Sequence, residues 1–531
     1  MKRIAALALA SALLASLAPA LPAGAVPAPA AFDPSSFDPS FFDPASAITW
    51  STCPQPWPIL GFECGTLDVP VDWDDPANPD RASIAFSIRR STAADRIGAM
   101  THNPGGPGAT GLYWDRAGNR FDAVGWDPRG VGESTPKLTG CSVPDEDEHP
   151  SRPETGPVDW STYVNAWIDL WEPLRAQCFE VNSRVAPYLG TYYVIRDLDA
   201  LRAALGEEQW TYWGVSYGTR VGFRYAREFP TRVRALLLDG SVAPNETMLT
   251  RSAQTAYKYA SVNAAFTAAL GAGMTAKYAR LVRTLNERTV TVDDTTYDRW
   301  QVFSTINPHL AYQEDYPEIK DYIDELNAAI VGKPASARRI DRALAALSEP
   351  SPSLPGAAGL GEDDDPSQTY FIDMVNCADA PIWPTRQQAI QVVRTASIVS
   401  QYTGSYDSVG RSTQCFGLPP DFAPRTPPVT RPLRLATPPI VIQSYGDPRT
   451  AWTGGRQMAE FFTGASLLSY TGTQHGTYLS TPSTCVNTPT TRYLLTLRVP
   501  PSRTCAYVPS PPEPWFSPSS VARTSDPRVG R

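Results

Sequence analysis

Apolar and polar side chains alternate in two early stretches, "CGTLDVPVDW" (64–73) and "ASIAFSIRR" (82–90). A period of two sends successive side chains to opposite faces, so the pattern predicts two strands of an antiparallel hairpin. Downstream, strand and helix patterns alternate. "RIGAMTH" runs into the glycine loop "NPGGPGATG", and "FDAVGWD" runs into "PRGVGES". "VIRDLDALRAALG" then spaces Val194, Leu198, Leu201 and Leu205 as one face of a helix that stops at Gly206. "QWTYWGV" has the length and apolar, aromatic content of a buried strand, "YGTRVGFRYAREF" reads as a helix ending at Pro230, and "VRALLLDG" is a further strand. This order predicts an α/β fold with a mostly parallel sheet and helices on both faces.

The alternation stops after residue 240. Residues 241–432 read as a helical cap, with Ala-rich amphipathic runs in "SAQTAYKYASVNAAFTAALG", "EIKDYIDELNAAIVG" and "SARRIDRALAALS". Strand patterns resume in "PPIVIQSYGD" and "ASLLSYTGTQH". The cap is therefore inserted between late strands, the sixth and seventh of the core. Residues 48–240 and 433–507 form the two parts of that core. The acidic run Glu362–Asp365 sits in a Pro-rich connector of the cap and reads as a solvated loop.

Both chain ends have different patterns. Residues 1–25, "MKRIAALALASALLASLAPALPAGA", carry a basic start, an apolar stretch and a small-residue exit. That is a secretory signal with cleavage expected after Ala25. Residues 26–47 contain an imperfect Phe-Asp-Pro repeat and read as a flexible spacer, and residues 508–531 as a loose Pro/Ser-rich tail. The formal charge of the 531-residue chain is -8, and losing Lys2 and Arg3 with the leader takes it to -10. Without a basic block there is no reason to expect a nucleic-acid partner, and no later stretch is apolar enough to span a membrane. An exported chain with eight cysteines implies disulfides. Sequential pairing is expected because it closes short local loops: Cys53 with Cys64, Cys141 with Cys178, Cys377 with Cys415, and Cys485 with Cys505. With four histidines and no C-x-x-C, neither a zinc site nor any other metal is expected. The absence of a phosphate-binding glycine fingerprint implies no nucleotide cofactor.

The candidate chemistry centres on "YWGVSYGTRVG", where Gly214, Ser216 and Gly218 form G-x-S-x-G between a strand and a helix. In that context the glycines let the turn close and the serine project as a nucleophile. In the doubly wound hydrolase order the acid follows the serine and the histidine comes last. His475, after the last apolar strand, is the candidate base. His102 precedes the serine, His149 lies in a Pro- and acid-rich loop, and His309 lies within the cap. Asp447 ends the strand that resumes the sheet and is the candidate acid; Asp239, at the end of "LLLDG", is its rival. The amides of Tyr217 and Gly106 are the expected oxyanion donors, with Gly105 the next choice. A dehalogenase or epoxide hydrolase would need an aspartate where Ser216 stands.

Together "NPGGPGATG", "FDAVGWDPRGVGES", "DLDALRAALG", "YWGVSYGTRVGFRYAREFP" and "QSYGDPRT" with "GTQHG" resemble the secreted tripeptidyl aminopeptidases of actinomycetes, α/β-hydrolases related to prolyl iminopeptidases. The likeness runs from "ITWSTC" and "FECGTLDVPVDW" to "STCVNTP" and "RYLLTLRVPPSRTCA". It implies the α/β-hydrolase fold, the triad Ser216, Asp447 and His475, and a secreted serine exopeptidase releasing short peptides from free N-termini. The family often carries an acid just before the cap cysteine; here "DMVNCADAPIWP" has Asn376 there, with Asp373 and Asp379 nearby. Those three positions are the candidates for holding a substrate ammonium. The rival functions are an ester hydrolase with the same triad and a non-catalytic binding protein on the same scaffold. Oligomeric state and side-chain preference are not encoded in any of these patterns.

Overall fold

The computed structural model describes residues 47–509 except 76, 311, 348–366, 381, 401–402 and 423–429. The leader, most of the spacer, the acidic run and nearly all of the tail lie outside the described residues.

The sheet is built from β1 (Ile48–Ser51), β2 (Phe62–Pro70), β3 (Arg81–Arg89), β4 (Gly98–Asn103), β5 (Phe121–Trp126), β6 (Trp210–Val215) and β7 (Val233–Asp239), then β10 (Ile440–Ser444), β11 (Ser466–Tyr470) and β12 (Arg503–Cys505). The strands lie in the order β1-β2-β3-β5-β4-β6-β7-β10-β11-β12. The first three pairs, β1–β2, β2–β3 and β3–β5, are antiparallel, with Leu67 opposite Ile84 in the predicted hairpin, and every pair from β5–β4 onward is parallel. Strands β5, β6 and β10 are buried along their whole length, as a parallel sheet covered on both faces requires.

Three helices precede the cap: α1 (Trp160–Val181), α2 (Thr191–Ala204) and α3 (Tyr217–Glu228). Helix α3 packs against β6 and β7, so closely that a Cβ on Gly222 would sit 2.6 Å from the Tyr212 ring. The opposite face buries Met100, Trp213, Leu237, Ile442 and Leu468. Within the core, the Arg129 guanidinium from "PRGVGES" is wholly buried and forks onto Asp197 of α2 at 2.7 and 2.6 Å, while also donating to the Pro70 and Val71 carbonyls. Trp73 Nε1 adds a third donor to the same carboxylate, at 2.9 Å. The pair closes the β2 end over α2.

The cap comprises α4 (Met248–Ala269), α5 (Ala272–Glu287), α6 (Arg299–His309), α7 (Tyr316–Ile330), α8 (Ala337–Ala345), α9 (Ser367–Asp379), α10 (Arg386–Val399) and α11 (Thr403–Thr413); α12 (Trp452–Glu460) and α13 (Thr484–Thr496) return to the core. Two features depart from the sequence expectation. The cap is not purely helical: β8 (Val290–Val292) and β9 (Thr295–Tyr297) form a small hairpin, too short for periodicity to register. And α1, assigned by chain position to the core, packs its aromatic face on the cap: Trp160, Tyr163, Val164 and Ile168 share a cluster with Ala389, Val393 and Val409. The cap therefore draws on a segment ahead of the nucleophile as well as on residues 241–432. The four disulfides pair in sequential order, Cys53–Cys64, Cys141–Cys178, Cys377–Cys415 and Cys485–Cys505. Among the described residues, no helix is long and apolar enough to cross a membrane.

Candidate active site

Ser216 stands between β6 and α3 with φ 58° and ψ -124°. A left-handed backbone costs a non-glycine residue on the order of 1–3 kcal/mol and persists only where its surroundings impose it. Here they do. A Cβ on Gly214 would lie 2.2 Å from the Gly218 carbonyl oxygen, and one on Gly218 would lie 2.2 Å from that of Asn103. The turn is pinned by Ser216 N–H donating to the Asp239 carbonyl (3.1 Å) and Thr219 N–H donating to the Ser216 carbonyl (2.9 Å). Both glycines of the motif are thus demanded by close backbone approach, and the serine, flanked by buried Val215 and Tyr217, remains half-buried.

The glycine loop after β4 lies against this turn. A Cβ on Gly105 would meet Ser216 Cβ at 2.8 Å and Tyr217 N at 3.2 Å. Gly105, Gly106 and Gly108 have φ of 111°, 98° and 109°, open to glycine and strained for other residues. The Gly105 N–H is committed to Asn103 Oδ1 at 3.0 Å. The Tyr217 amide opens α3, where the first N–H groups have no intrahelical acceptor.

Asp447 and His475 meet across the ends of β10 and β11. His475 Nδ1 lies 2.9 Å from Asp447 Oδ2 and 3.0 Å from Oδ1. The Asp447 side chain is wholly buried and accepts from the Arg449 and Thr450 amides and the Thr450 hydroxyl, all at 2.8 Å, and from Gln443 Nε2 at 3.1 Å. Burial alone would raise its pKa, but His475 and these donors outweigh burial and hold it below the usual carboxylate value.

Asp239 is not the histidine's partner, yet it belongs to the site. Its Oδ2 accepts from the Thr477 and Tyr478 amides, both at 2.8 Å, and so holds the loop just after His475. Its carbonyl takes the Ser216 amide. The next residue, Gly240, has φ 64°, and a Cβ there would press on the imidazole at 3.2 Å. Asp239 Oδ1 is buried without a hydrogen-bond partner. Burial raises this carboxyl to about 7, against the pull of the two amides, and the Asp447 charge adds to the rise. Sequence reasoning weighed Asp239 as an alternative acid and missed this anchoring role; the strand-end position was the available signal.

The three cap positions expected to meet a substrate ammonium do not converge on a free carboxylate. Asp379 accepts from the Thr191 amide (3.0 Å) and hydroxyl (2.6 Å) at the start of α2 and pairs with Arg220 at 3.4 Å. Asp373 pairs with Arg175 at 2.9 Å. Asn376 is fully buried with both amide atoms unpartnered. The other histidines are placed elsewhere. His102 stacks on Trp114 inside the core and donates from Nδ1 to the Trp213 carbonyl at 3.0 Å, with burial lowering it to about 3. His309 pairs with Asp315 in the cap, and His149 stacks on Trp167 and Trp171.

A strained serine after a parallel strand, an Asp–His pair on later strands and a glycine loop beside the serine define a hydrolase of the doubly wound class. Residues 102–482 match the alpha/beta hydrolase fold family, and the chain belongs to that family. It is 30% identical over 491 residues to serine protease Hip1 of Mycobacterium tuberculosis, covering 86% of this chain and 90% of that one. Tripeptidyl aminopeptidase of Streptomyces lividans is 36% identical over 217 residues, 38% of this chain and 39% of the other. Carboxylesterase B of M. tuberculosis is 29% identical over 468 residues, 83% and 85% of the two chains. Within the family, the chain is a serine peptidase.

Proposed function

We propose that this peptidase is exported and releases short peptides, tripeptides foremost, from free N-termini through an acyl-enzyme on Ser216. Ser216 Oγ attacks the scissile carbonyl while His475 takes its proton, then returns it to the leaving amine. Asp447 fixes the imidazole orientation and stabilises the imidazolium; its four donors keep it ionised for that task. The amides of Tyr217 and Gly106 receive the oxyanion, each donor being worth roughly 3–4 kcal/mol in the transition state. Water then attacks the acyl-enzyme by the same route. The observation that carries this reading is the Asp447–His475 pair at 2.9 Å together with a serine held at positive φ after β6. Four disulfides and the basic-apolar leader support export, since such bonds persist in oxidising compartments. The tripeptidyl aminopeptidase relative supports the exopeptidase mode.

The second reading, a carboxylic-ester hydrolase, is favoured by one feature: Asp373 and Asp379 are occupied by arginines and Asn376 is neutral, so these positions offer no free charge to an ammonium. The discriminating experiment is chromophore release from Ala-Ala-Pro p-nitroanilide, free or acetylated at its N-terminus, beside p-nitrophenyl butyrate. Cleavage confined to the free-amine anilide, abolished by Ser216→Ala, is the expected result. Equal cleavage of the acetylated anilide removes the exopeptidase claim, and hydrolysis of the ester alone removes the peptidase claim.

A further inference from the structure

Cap helix α4 is linked to both the nucleophile helix and the acid loop, and the side chains it carries there are positive. Near its start, Arg251 Nε pairs with Glu246 at 2.9 Å, and the same Glu246 oxygen pairs with Arg220 at 2.8 Å. Arg220 lies one turn beyond Ser216 on α3. Two turns further along α4, roughly 10 Å on at 1.5 Å per residue, Lys258 Nζ donates to the Arg449 carbonyl at 3.0 Å. Arg449 is two residues past Asp447. Helix α4 is therefore tied through Glu246 to the nucleophile helix and, further along, to the acid loop.

Arg411 lies on α11, the helix packed along α4, and its charge acts on both Arg251 and Lys258. Arg411 is half-buried and, among the described residues, forms no hydrogen bond or ion pair. Arg251 Nη1 is buried and unpartnered. The acids facing this group are spoken for or outnumbered, Asp373 among them: it feels the charges of Arg411 and Arg251 but is paired with Arg175. Glu246 is divided between Arg220 and Arg251, Asp379 is bound to Thr191 and Arg220, and Asp447 is bound to His475. Asp407, on α11 with Arg411, is the remaining carboxylate near Lys258. Burial lowers Arg251 to about 10 in spite of Glu246, with Arg220 and Arg411 adding to the depression. Burial lowers Lys258 to about 8, and Arg411 again deepens the shift. Cations held at this disadvantage, with donor capacity unused, are stabilised by an incoming anion.

We propose that Arg251, Arg411 and Lys258 form a carboxylate-binding subsite in the cap, so that the enzyme prefers short peptides with an acidic side chain in the segment entering beneath α4. The subsite deepens the peptidase reading and rests on it for the identity of the ligand. It also accounts for a cap whose own carboxylates are neutralised rather than presented.

The test is binding to the full-length Ser216→Ala protein, followed by calorimetry so that the result does not depend on turnover. The probes are Glu-Ala-Pro and Ala-Glu-Pro p-nitroanilides, each against its Gln counterpart, all with free N-termini. In at least one pair the Glu peptide is expected to bind about tenfold or more tighter, the scale of one charge-assisted contact. That preference is expected to shrink to threefold or less when Arg411→Gln or, separately, Arg251→Gln is added. Arg411→Gln breaks no hydrogen bond or ion pair among the described residues and so keeps the test open should Arg251→Gln fold poorly. Equal affinity within both Glu and Gln pairs, or a preference untouched by Arg411→Gln in a folded protein, overturns the subsite. A Glu preference in a protein whose wild type cleaves no anilide leaves the subsite standing and removes the peptidase reading instead.

Discussion

Asp239→Asn isolates the buried carboxyl that holds the histidine loop. Asparagine keeps an oxygen for the Thr477 and Tyr478 amides but cannot ionise. The unfolded chain loses this proton near the ordinary value of 3.8, whereas the folded protein keeps it up to about 7. Between those values the native state binds more protons than the unfolded one, so wild-type stability falls as pH rises; below 3.8 there is no penalty, and above 7 it is complete. At about 1.4 kcal/mol per pH unit, ionising Asp239 in place costs the fold on the order of 4 kcal/mol. The unpartnered Oδ1 is the structural counterpart of that cost, since an ionised carboxylate would leave charge on an oxygen without a donor. With an unfolding entropy of roughly 2.1 cal/mol/K per residue, about 1 kcal/mol moves the midpoint of a chain this long by about 1 °C. Melting wild type and variant side by side from pH 4 to pH 9 should therefore show the variant gaining roughly 3–5 °C on the wild type as pH rises. Any constant offset from the new amide cancels in the comparison. A difference that stays flat within about 1 °C over that range refutes the reasoning and makes Asp239 an ordinary ionised acid.

Other substitutions probe the remaining geometry. Gly240→Ala, whose methyl group would press on the imidazole at 3.2 Å, should lower kcat at least tenfold with little change in KM, since it disturbs the base rather than substrate binding. Asp197→Ala strips the buried Arg129 guanidinium of its fork, and denaturant titration should show about 3–5 kcal/mol lost. Removing the Cys377–Cys415 bridge by a double serine substitution frees a loop of 38 residues and should cost about 3–4 kcal/mol, with the midpoint falling under oxidising conditions only.

The sequence pattern made the parallel strands legible because they are short, apolar and punctuated by glycine or proline. Ser216, Asp447 and His475 stand out in the sequence for a related reason: each follows an apolar strand, and their order along the chain restricts the choices. What escaped was tertiary. Helix α1 shows an aromatic stripe but nothing in its sequence says that Ala389 and Val393 will cover it. The β8–β9 hairpin is too short to compete with the helical runs around it. Asp373 and Asp379 read as available acids because their arginine partners, Arg175 and Arg220, stand 198 and 159 residues away. Asp239 was judged as a rival to Asp447, when long-range contact makes the two carboxylates neighbours with different protonation.

The most direct test of the account is the covalent one. Wild-type protein treated with phenylmethylsulfonyl fluoride and analysed by intact-mass and peptide mass spectrometry should carry one sulfonyl group, on Ser216, with peptide hydrolysis lost in proportion to labelling. Ser216→Ala should take up none. Labelling at another residue, or full peptide hydrolysis by Ser216→Ala, would contradict the assignment of Ser216 as nucleophile.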